Sequence, residues 1–457
     1  MDCTGSDARH CILILGGGFA AIYAAQRLER TLARAANVEV TLVNRDNYFL
    51  FTPMLHEVAG GELETHCIVN PIRKLLRRVR FSCGEVQSID LPGKRVTVTH
   101  GKFAHRHDLE YDQLVLALGS TPNFFGLAGV EERAFAIKTL DDAIRLRDHL
   151  IAQLDEADFD CASDSRDWLL TFVVAGGGFA GVETAGSIND FIHESVRFYP
   201  HLKRDMIRVV LVSSGSVLLP ELKEKLGRYA QRKLAGRGIE VLTSVQVKGA
   251  TDQSIELSDG RRIVSNTLIW TAGNSVHPLL ATLACKKERG RIVVNPFFEI
   301  PEWPGVYAVG DCASLVDSAS GRPHPPTAQH AVREGKTLAC NLTTAIDGTA
   351  KRPFRFSTLG QLATIGRRTG VANVLGVNFS GFIAWWLWRT IYLIKLPRLE
   401  KKVRVALGWT LDLFFTKDII RHHHLVSRLP QGDVAGRSDS LPEVDRLAAT
   451  VRAANGT

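Results

Sequence analysis

The stretch Thr171–Gly186, TFVVAGGGFAGVETAG, constrains this chain more than any other. Four apolar, β-prone residues, Phe172–Ala175, run into Gly176-Gly177-Gly178, and a run with helical spacing opens at Phe179. Strand, glycine turn and helix start, in that order, are the signature of a βαβ unit that holds a dinucleotide. Gly176 lets the chain turn tightly, Gly178 lets backbone N–H groups approach a pyrophosphate, and Gly181 lets the helix pack close to the strand. The anion then sits at the positive end of the helix. One copy is a weak signal, because glycine-rich strand exits also arise for structural reasons alone. The chain carries a second: Cys11–Ala21, CILILGGGFAA, with Gly16 and Gly18 in place and Ala21 as the permitted third small residue. Two such units in one chain can hold two dinucleotides face to face, the arrangement in which an electron pair passes from a nicotinamide to a flavin.

At 457 residues the chain has room for two or three domains, and 45% hydrophobic against 23% charged residues excludes general disorder. The net charge of +8 needs a cause, either nucleic acid or an anionic membrane surface, and its location decides between them. The opening MDCTGSDARHC has no charged-then-apolar run, so no secretory signal is expected. Nowhere do about 18 uncharged apolar residues run together, so no bilayer-spanning helix is expected either. The 8 cysteines are scattered without a CxxC or CxxxxC pair, which argues against zinc ribbons and a redox disulfide. Arg421-His422-His423-His424 would point in different directions on a helix and is read as surface, so no metal is expected.

The first unit reads as a strand Ile12–Leu15, a helix from about Phe19 through Ala20 to Ala35, and a strand Glu39–Val43. Where that strand should end in a ribose-binding carboxylate stand Asn44 and Arg45; an amide still bonds ribose hydroxyls, but without the charge. The apolar run Phe49–Leu55, containing Thr52 and Pro53, suits a segment folded over a ligand. Strands follow near Glu85–Asp90 and Arg95–Thr99. A buried strand, Leu114–Leu118, then ends in Gly119-Ser120, and Pro122 blocks a helix. The second unit continues with a helix past Phe191 and a strand Ile207–Ser213. Ser213 and Ser214 again replace the acid, so nothing repels an NADPH 2′-phosphate and the nicotinamide preference stays open. The strand Thr267–Trp270 runs through Gly273 back toward the first unit. Gly305–Ala313 is a further buried strand closed by Gly310-Asp311; its carboxylate suits a flavin's ribityl hydroxyls, the competing role being a helix N-cap. The prolines of HPPTAQHAVREGK stop before a helical run near Ala328, whose free N–H groups suit a flavin's electron-rich edge.

Residues 379–415 carry much of the charge. Trp385, Trp386, Trp388 and Trp409 stand among Arg389, Lys395, Arg398, Lys401, Lys402 and Arg404. After Pro397, Leu399, Val403, Ala406, Leu407, Leu411 and Phe414 fall on one helical stripe, with Glu400, Lys401 and Arg404 on the other side. Such a helix suits lying in a bilayer interface, drawn to anionic lipid at about 1 kcal/mol per basic residue. Arg389 opposes spanning. A core or dimer helix is the competing reading. Nucleic acid is disfavoured, because the cations accompany a large aliphatic surface and no nucleic-acid motif is present.

Through GGGFAA, LVNRDNYFLFTPMLHEVA, LALGSTPNFFG, GGGFAGVETAG, GVYAVGDCA, PPTAQHAVREGK and the tryptophan-rich basic end, the chain resembles the type II NADH:quinone oxidoreductases. The resemblance implies an α/β fold of two Rossmann-like, glutathione-reductase-like dinucleotide-binding domains with a C-terminal amphipathic helical membrane-binding region. Residues 1–124 and 274–355 would hold non-covalent FAD, and 125–273 NADH or NADPH. Residues 356–425 would lie on the membrane, and 426–457 would form a polar tail. A membrane quinone, an anionic lipid surface, peripheral attachment on the cytoplasmic side of the cell membrane and a homodimer are implied with them. Gly16, Gly18, Arg45, Thr52 and Asp311 would touch FAD, with Phe19, Ala20, Asn44, Gly119, Gly310 and Ala328 about it. Gly176, Gly178 and Gly181, with Phe179, Ser213 and Gly273, would touch the nicotinamide dinucleotide. Glu183 is the glutamate the family places near the flavin, against a plain role at the helix dipole. Ala328 and Gln329 begin the family's quinone-side AQxAxQxG motif, in which Arg333 replaces the second glutamine. A sulfide:quinone oxidoreductase, with Cys161 and Cys340 as its reactive pair, and a non-enzymatic FAD and NAD(P)H redox sensor are the alternatives.

Overall fold

A computed structural model describes residues 9–32, 37–159, 163–318 and 320–421, with the backbone alone for 163–165. The apolar runs flanking the glycine turns are buried on both faces, as parallel strands covered by helices require. β1 (His10–Leu15), β2 (Val38–Asn44), β3 (Arg80–Cys83) and β4 (Gln113–Leu116) start a first sheet. β5 (Ala134–Ala136), β6 (Thr171–Ala175), β7 (Arg208–Ser213), β8 (Ile239–Thr243) and β9 (Thr267–Trp270) make a second, and β10 (Val306–Ala308) rejoins the first. The spatial orders, β10-β4-β1-β2-β3 and β5-β9-β6-β7-β8, share one four-strand pattern with every pair parallel, and the outer strand comes last in the chain in the first sheet and first in the second. In each sheet the strand order reverses beside the central glycine-turn strand, so the crevice where dinucleotides bind opens there. Each unit also carries a three-stranded antiparallel meander, Glu85–Asp90 to His105–Glu110 before β4 in the first and Val247–Ala250 to Arg262–Val264 before β9 in the second.

The connections between the sheets are paired: Ser120–Pro122 runs antiparallel to Asn274–Val276, with Thr121 opposite Ser275. The helices that matter for the site are α1 (Phe19–Thr31), α2 (Leu55–Ala59), α3 (Phe179–Ser195) and α4 (Ala328–Asp347). The first helix therefore ends at Thr31, and residues 33–36 lie outside the described part. α4 packs along α1 with no side chain between them at Gly335, where a Cβ would stand 2.2 Å from the Ala20 carbonyl oxygen.

The C-terminal region is not helical throughout. It opens with an antiparallel sheet of β11 (Gly360–Thr364), β12 (Gly370–Val374) and β13 (Val377–Gly381), followed by α5 (Phe382–Lys395) and α6 (Leu399–Leu411). The strands GQLAT, GVANV and VNFSG are rich in Gly and Asn and lack a strong β signal, which hides them in the sequence. Their sheet lies directly on α3: a Cβ on Gly186 would stand 2.6 Å from the Gly366 nitrogen and 2.9 Å from the Ile365 carbonyl carbon.

The facing of α6 corrects one expectation. Lys401, placed on the outward polar side by its spacing, is buried and donates to the His66 carbonyl; Val405 and Trp409 share its inward face. Leu399, Val403, Leu407 and Leu411 are exposed. Arg389 is also inside, held between the rings of Trp385 and Trp409 at 4.2 and 4.6 Å and 3.7 Å from Glu62. Cys161, His422–His424 and the polar tail lie outside the described residues.

Candidate active site

The two glycine turns are built alike. Gly16 and Gly176 have φ of +112° and +126°, and a Cβ there would stand 2.2 Å from the Ala117 carbonyl oxygen and 2.3 Å from Thr271 Oγ1. The middle glycines rest on the residues that replace the expected acids. A Cβ on Gly17 would meet Asn44 Cγ at 2.5 Å, and one on Gly177 would meet Ser213 Oγ at 2.2 Å. Gly181 brings α3 onto the turn, where a Cβ would stand 1.8 Å from the Gly176 carbonyl oxygen. Gly18 and Gly178 differ from these. They are the N-caps of α1 and α3 with no side-chain cap. A Cβ on Gly18 would meet nothing within 4 Å, and one on Gly178 only Glu221 Oε1 at 3.9 Å. Each unit thus presents a bare helix N-terminus under open space, which fits a dinucleotide pyrophosphate.

Around the first turn, Asn44 donates its amide to the Asp46 carbonyl at 2.8 Å. Arg45 is exposed, 3.7 Å from Asp46. Asp311 accepts from Ser120 Oγ at 2.6 Å, and Lys138 donates to the same hydroxyl at 2.8 Å. Asp311 lies in a single 3-10 turn, Gly310–Cys312, while Thr327 caps α4; the N-cap alternative for Asp311 therefore fails. The amides of Ala328 and Gln329 in the first turn of α4 find no acceptor among the described residues. Glu334, which the sequence reading passed over, is buried and accepts from the Gly310 amide at 2.7 Å; burial pushes its carboxyl up to about 7.

These elements surround a cavity of about 1110 Å³. Phe19, Thr52 and His56 line it from the first unit, and Gly178, Phe179, Glu183 and Gly273 from the second. Ala328, Gln329 and Arg333 of α4 and Tyr392 and Lys395 of α5 complete the wall. Gly16, Gly18, Ala20, Asn44, Arg45, Gly119, Gly310, Asp311, Gly176, Gly181 and Ser213 stay outside this lining. Of these, Gly16, Gly18, Asn44 and Arg45 gather at the first glycine turn, and Gly176, Gly181 and Ser213 at the second. The segment expected to fold over a ligand puts Phe51 in the wall. It starts an aromatic path: Phe51 to Tyr392 at 6.1 Å, Tyr392 to Trp388 at 4.6 Å, Trp388 to His56 at 5.5 Å.

At the end of that path sits Glu183. Its Oε1 accepts from the Thr364 amide at 3.2 Å and from Trp388 Nε1 at 3.1 Å; its Oε2 is 3.6 Å from His56 Nδ1. Burial pushes the carboxyl up to about 8, and the two donated hydrogen bonds offset part of that rise. Burial pushes His56 down to about 3, so the two meet as neutral groups near pH 7. His56 Nε2 is 3.2 Å from Thr364 Oγ1. The network is consistent with the imidazole N–H on Nε2 and the Glu183 proton on Oε2, an assignment made from hydrogen bonding. Gln329 donates to the Gly360 carbonyl at 3.2 Å, and Arg333 donates to the Gln329 carbonyl at 2.9 Å while lying 4.0 Å over the Phe356 ring.

Among the described residues the cysteines do not gather here. Cys340 lines a separate cavity. Cys312 is buried beside Gly119, and its thiol is pushed up to about 12. Among the described residues no group of three or more His, Cys, Asp or Glu is placed to hold a metal ion.

Residues 10–335 match the pyridine nucleotide-disulphide oxidoreductase family, and residues 359–418 match the NDH2 C-terminal domain. A type II NADH:quinone oxidoreductase of Mycobacterium tuberculosis is 32% identical over 90% of this chain and 89% of its own length. One from Staphylococcus aureus is 27% identical over 84% and 94%. NDH2 of Plasmodium falciparum, solved in complex with NADH, superposes with a TM-score of 0.84 at 20% identity, over 90% of this chain and 100% of that one. A sulfide:quinone oxidoreductase of Aquifex aeolicus shares the fold more distantly, at a TM-score of 0.64 and 18% identity. With matches running through both glycine turns and on across the sheet that seats Glu183, the chain belongs to the type II NADH:quinone oxidoreductases.

Proposed function

We propose that the cavity between the two units and α5 is where the nicotinamide of NADH, the flavin of FAD and a membrane quinone meet, with Glu183 and Gln329 as the residues that act on the quinone side. One observation carries this reading: a single space of about 1110 Å³ is walled by both glycine-turn helices, the start of α4 and the C-terminal helix. Residues 1–124 and 274–355 hold FAD at the Gly16–Gly18 turn, and 125–273 hold the nicotinamide dinucleotide at Gly176–Gly181. When bound, FAD supplies the two-electron relay between nicotinamide and quinone.

The chain's own groups do the rest. The open N-termini of α1 and α3 take the pyrophosphates, and the free amides of Ala328 and Gln329 offer donors to the flavin ring. Ser120 and Lys138 hold Asp311 at the edge of the first turn, where its carboxylate would accept from the ribityl hydroxyls of bound FAD. Glu183 keeps a proton at neutral pH and presents it on Oε2; Trp388 and the Thr364 amide hold the other oxygen. A quinone taking up two electrons needs protons, and Glu183 is placed to give one. Gln329, with its amide group tied to Gly360, fixes the quinone side of the cavity. Ser213, under Gly177, sets no charge against a 2′-phosphate, so NADPH stands beside NADH as a donor.

Among the described residues no helix is long and apolar enough to cross a membrane. The protein attaches peripherally, on the cytoplasmic side, through the exposed Phe382, Ile383, Trp386, Leu399, Val403 and Leu407, with anionic lipid drawn to the neighbouring cations. Its resting state is the family's homodimer. Anaerobic mixing of the yellow protein with NADH or NADPH, and then with a quinone, tests the core reading: the flavin colour should bleach with the nucleotide and return with the quinone. A purified protein that is colourless and takes up no FAD overturns it.

A further inference from the structure

Beside the active-site cavity lies a second one of about 520 Å³, lined by Arg27, Arg30, Lys336, Arg352 and Arg355. Tyr23, Gln26, Thr337, Cys340 and Pro353 complete its wall, and no carboxylate lines it. Its sides are α1 and α4, locked together where Gly335 meets the Ala20 backbone. Its rim is the extended segment after α4. The buried Asn341 fixes that rim by accepting from the Arg352 amide at 2.8 Å and donating to the Arg352 carbonyl at 3.0 Å. Phe354 turns inward onto Phe298 at 5.3 Å, which leaves Arg352 and Arg355 on the outer face.

The nearby acids of these helices are engaged elsewhere. Glu29 accepts from the backbone amides of Arg77 and Arg78, and Glu334 from that of Gly310. None of the five cations forms an ion pair among the described residues. Among the described residues the Lys336 ammonium meets only the Tyr23 ring, at 5.3 Å. Five like charges around one concavity repel one another, and an anion placed among them removes that cost. Guanidinium groups match phosphate oxygens in pairs, and the flanking tyrosine, glutamine and threonine add neutral donors.

We propose that this cavity binds a phosphate-bearing anion, and that its source is the headgroup of an anionic phospholipid. The position favours lipid over a free anion. Tyr23, Gln26, Arg30 and Lys336 line both cavities, and the larger one runs on to Ile394, Lys395, Leu396 and Pro397 at the end of α5, beside the exposed apolar residues. A headgroup seated here lies next to the quinone's route and fixes how the protein sits on the bilayer. This assignment rests on the peripheral membrane reading above.

The test uses the full-length flavoprotein with Arg27, Arg352 and Arg355, which line only the smaller cavity, replaced together by Gln. Flotation with phosphatidylcholine vesicles, with and without phosphatidylglycerol, measures the preference for anionic lipid. The variant should keep its FAD, its turnover with a water-soluble quinone and its binding to neutral vesicles. Its preference for anionic vesicles should fall by about fivefold per cation, roughly a hundredfold for three. An unchanged preference overturns the proposal. Inorganic pyrophosphate that raises the wild-type Tm, but not the variant's, while vesicle preference is unchanged, overturns the lipid source in favour of a free anion. Failure of the wild type to float with either vesicle overturns the membrane reading itself, and this assignment with it.

Discussion

Glu183 sits five residues into α3, yet what sets its chemistry comes from Thr364 and Trp388, far along the chain. Because burial pushes its carboxyl up to about 8, quinone reduction should decline as pH rises through that value. Glu183→Gln should remove the decline and lower the plateau, while anaerobic bleaching by NADH keeps its rate. A variant whose steady-state quinone reduction matches that of the unsubstituted protein at every pH would dismiss a proton-giving role. Trp388→Phe removes a donor that favours the charged form, so the alkaline limb should move to higher pH. Glu57 behaves likewise for stability: burial and the nearby Glu62 charge push its carboxyl above the ordinary range, and the bond donated by Trp409 Nε1 at 3.1 Å offsets part of that rise. Its contribution is then full below the unfolded pKa and lost as pH rises toward neutrality and beyond, so Tm should fall over that window and Glu57→Gln should flatten the fall. The glycine-turn residues were legible from spacing alone. Glu334 was not, because a glutamate inside a helical run carries no mark of burial. Nor was the placement of Asn44 and Ser213 under the middle glycines, since the motif's usual account gives those glycines no partner.

Among the elements, the repeated β-strand, turn and helix were readable because each junction is marked by glycines and each strand is a continuous apolar run. The C-terminal sheet was not readable, and in α6 the apolar stripe was readable while Lys401, set by its spacing on the outward polar side, faces inward. Spacing shows that a helix has two faces, not which one its neighbours cover. Lys401, Val405 and Trp409 face inward because the pocket behind them offers the His66 carbonyl and Glu57. Two substitutions test this packing. Gly186→Val forces a side chain into the backbone of Gly366 and should cost about 1–3 kcal/mol, read as a lower Tm with early loss of the C-terminal sheet's amide protection. Arg389→Ala removes one of the two cations facing Glu62, with Lys417 left at 3.6 Å, and empties the space between Trp385 and Trp409; it should cost about 0.5–3 kcal/mol by the same measurement.

Across the whole molecule, two copies of one topology make the crevices, and a smaller third part closes the space between them. The exposed face of that third part predicts a separable defect. Replacing Leu399, Val403 and Leu407 by Ser should weaken vesicle flotation by more than about tenfold while turnover with a water-soluble quinone persists. Trp388 belongs to both halves of this arrangement: it is the fully buried anchor of α5 and a donor to Glu183. Under the membrane attachment proposed above, a detergent that displaces α5 should alter acidity at Glu183 before the fold is lost, and the earliest sign of detachment should be a drifting pH optimum in an enzyme that is still yellow.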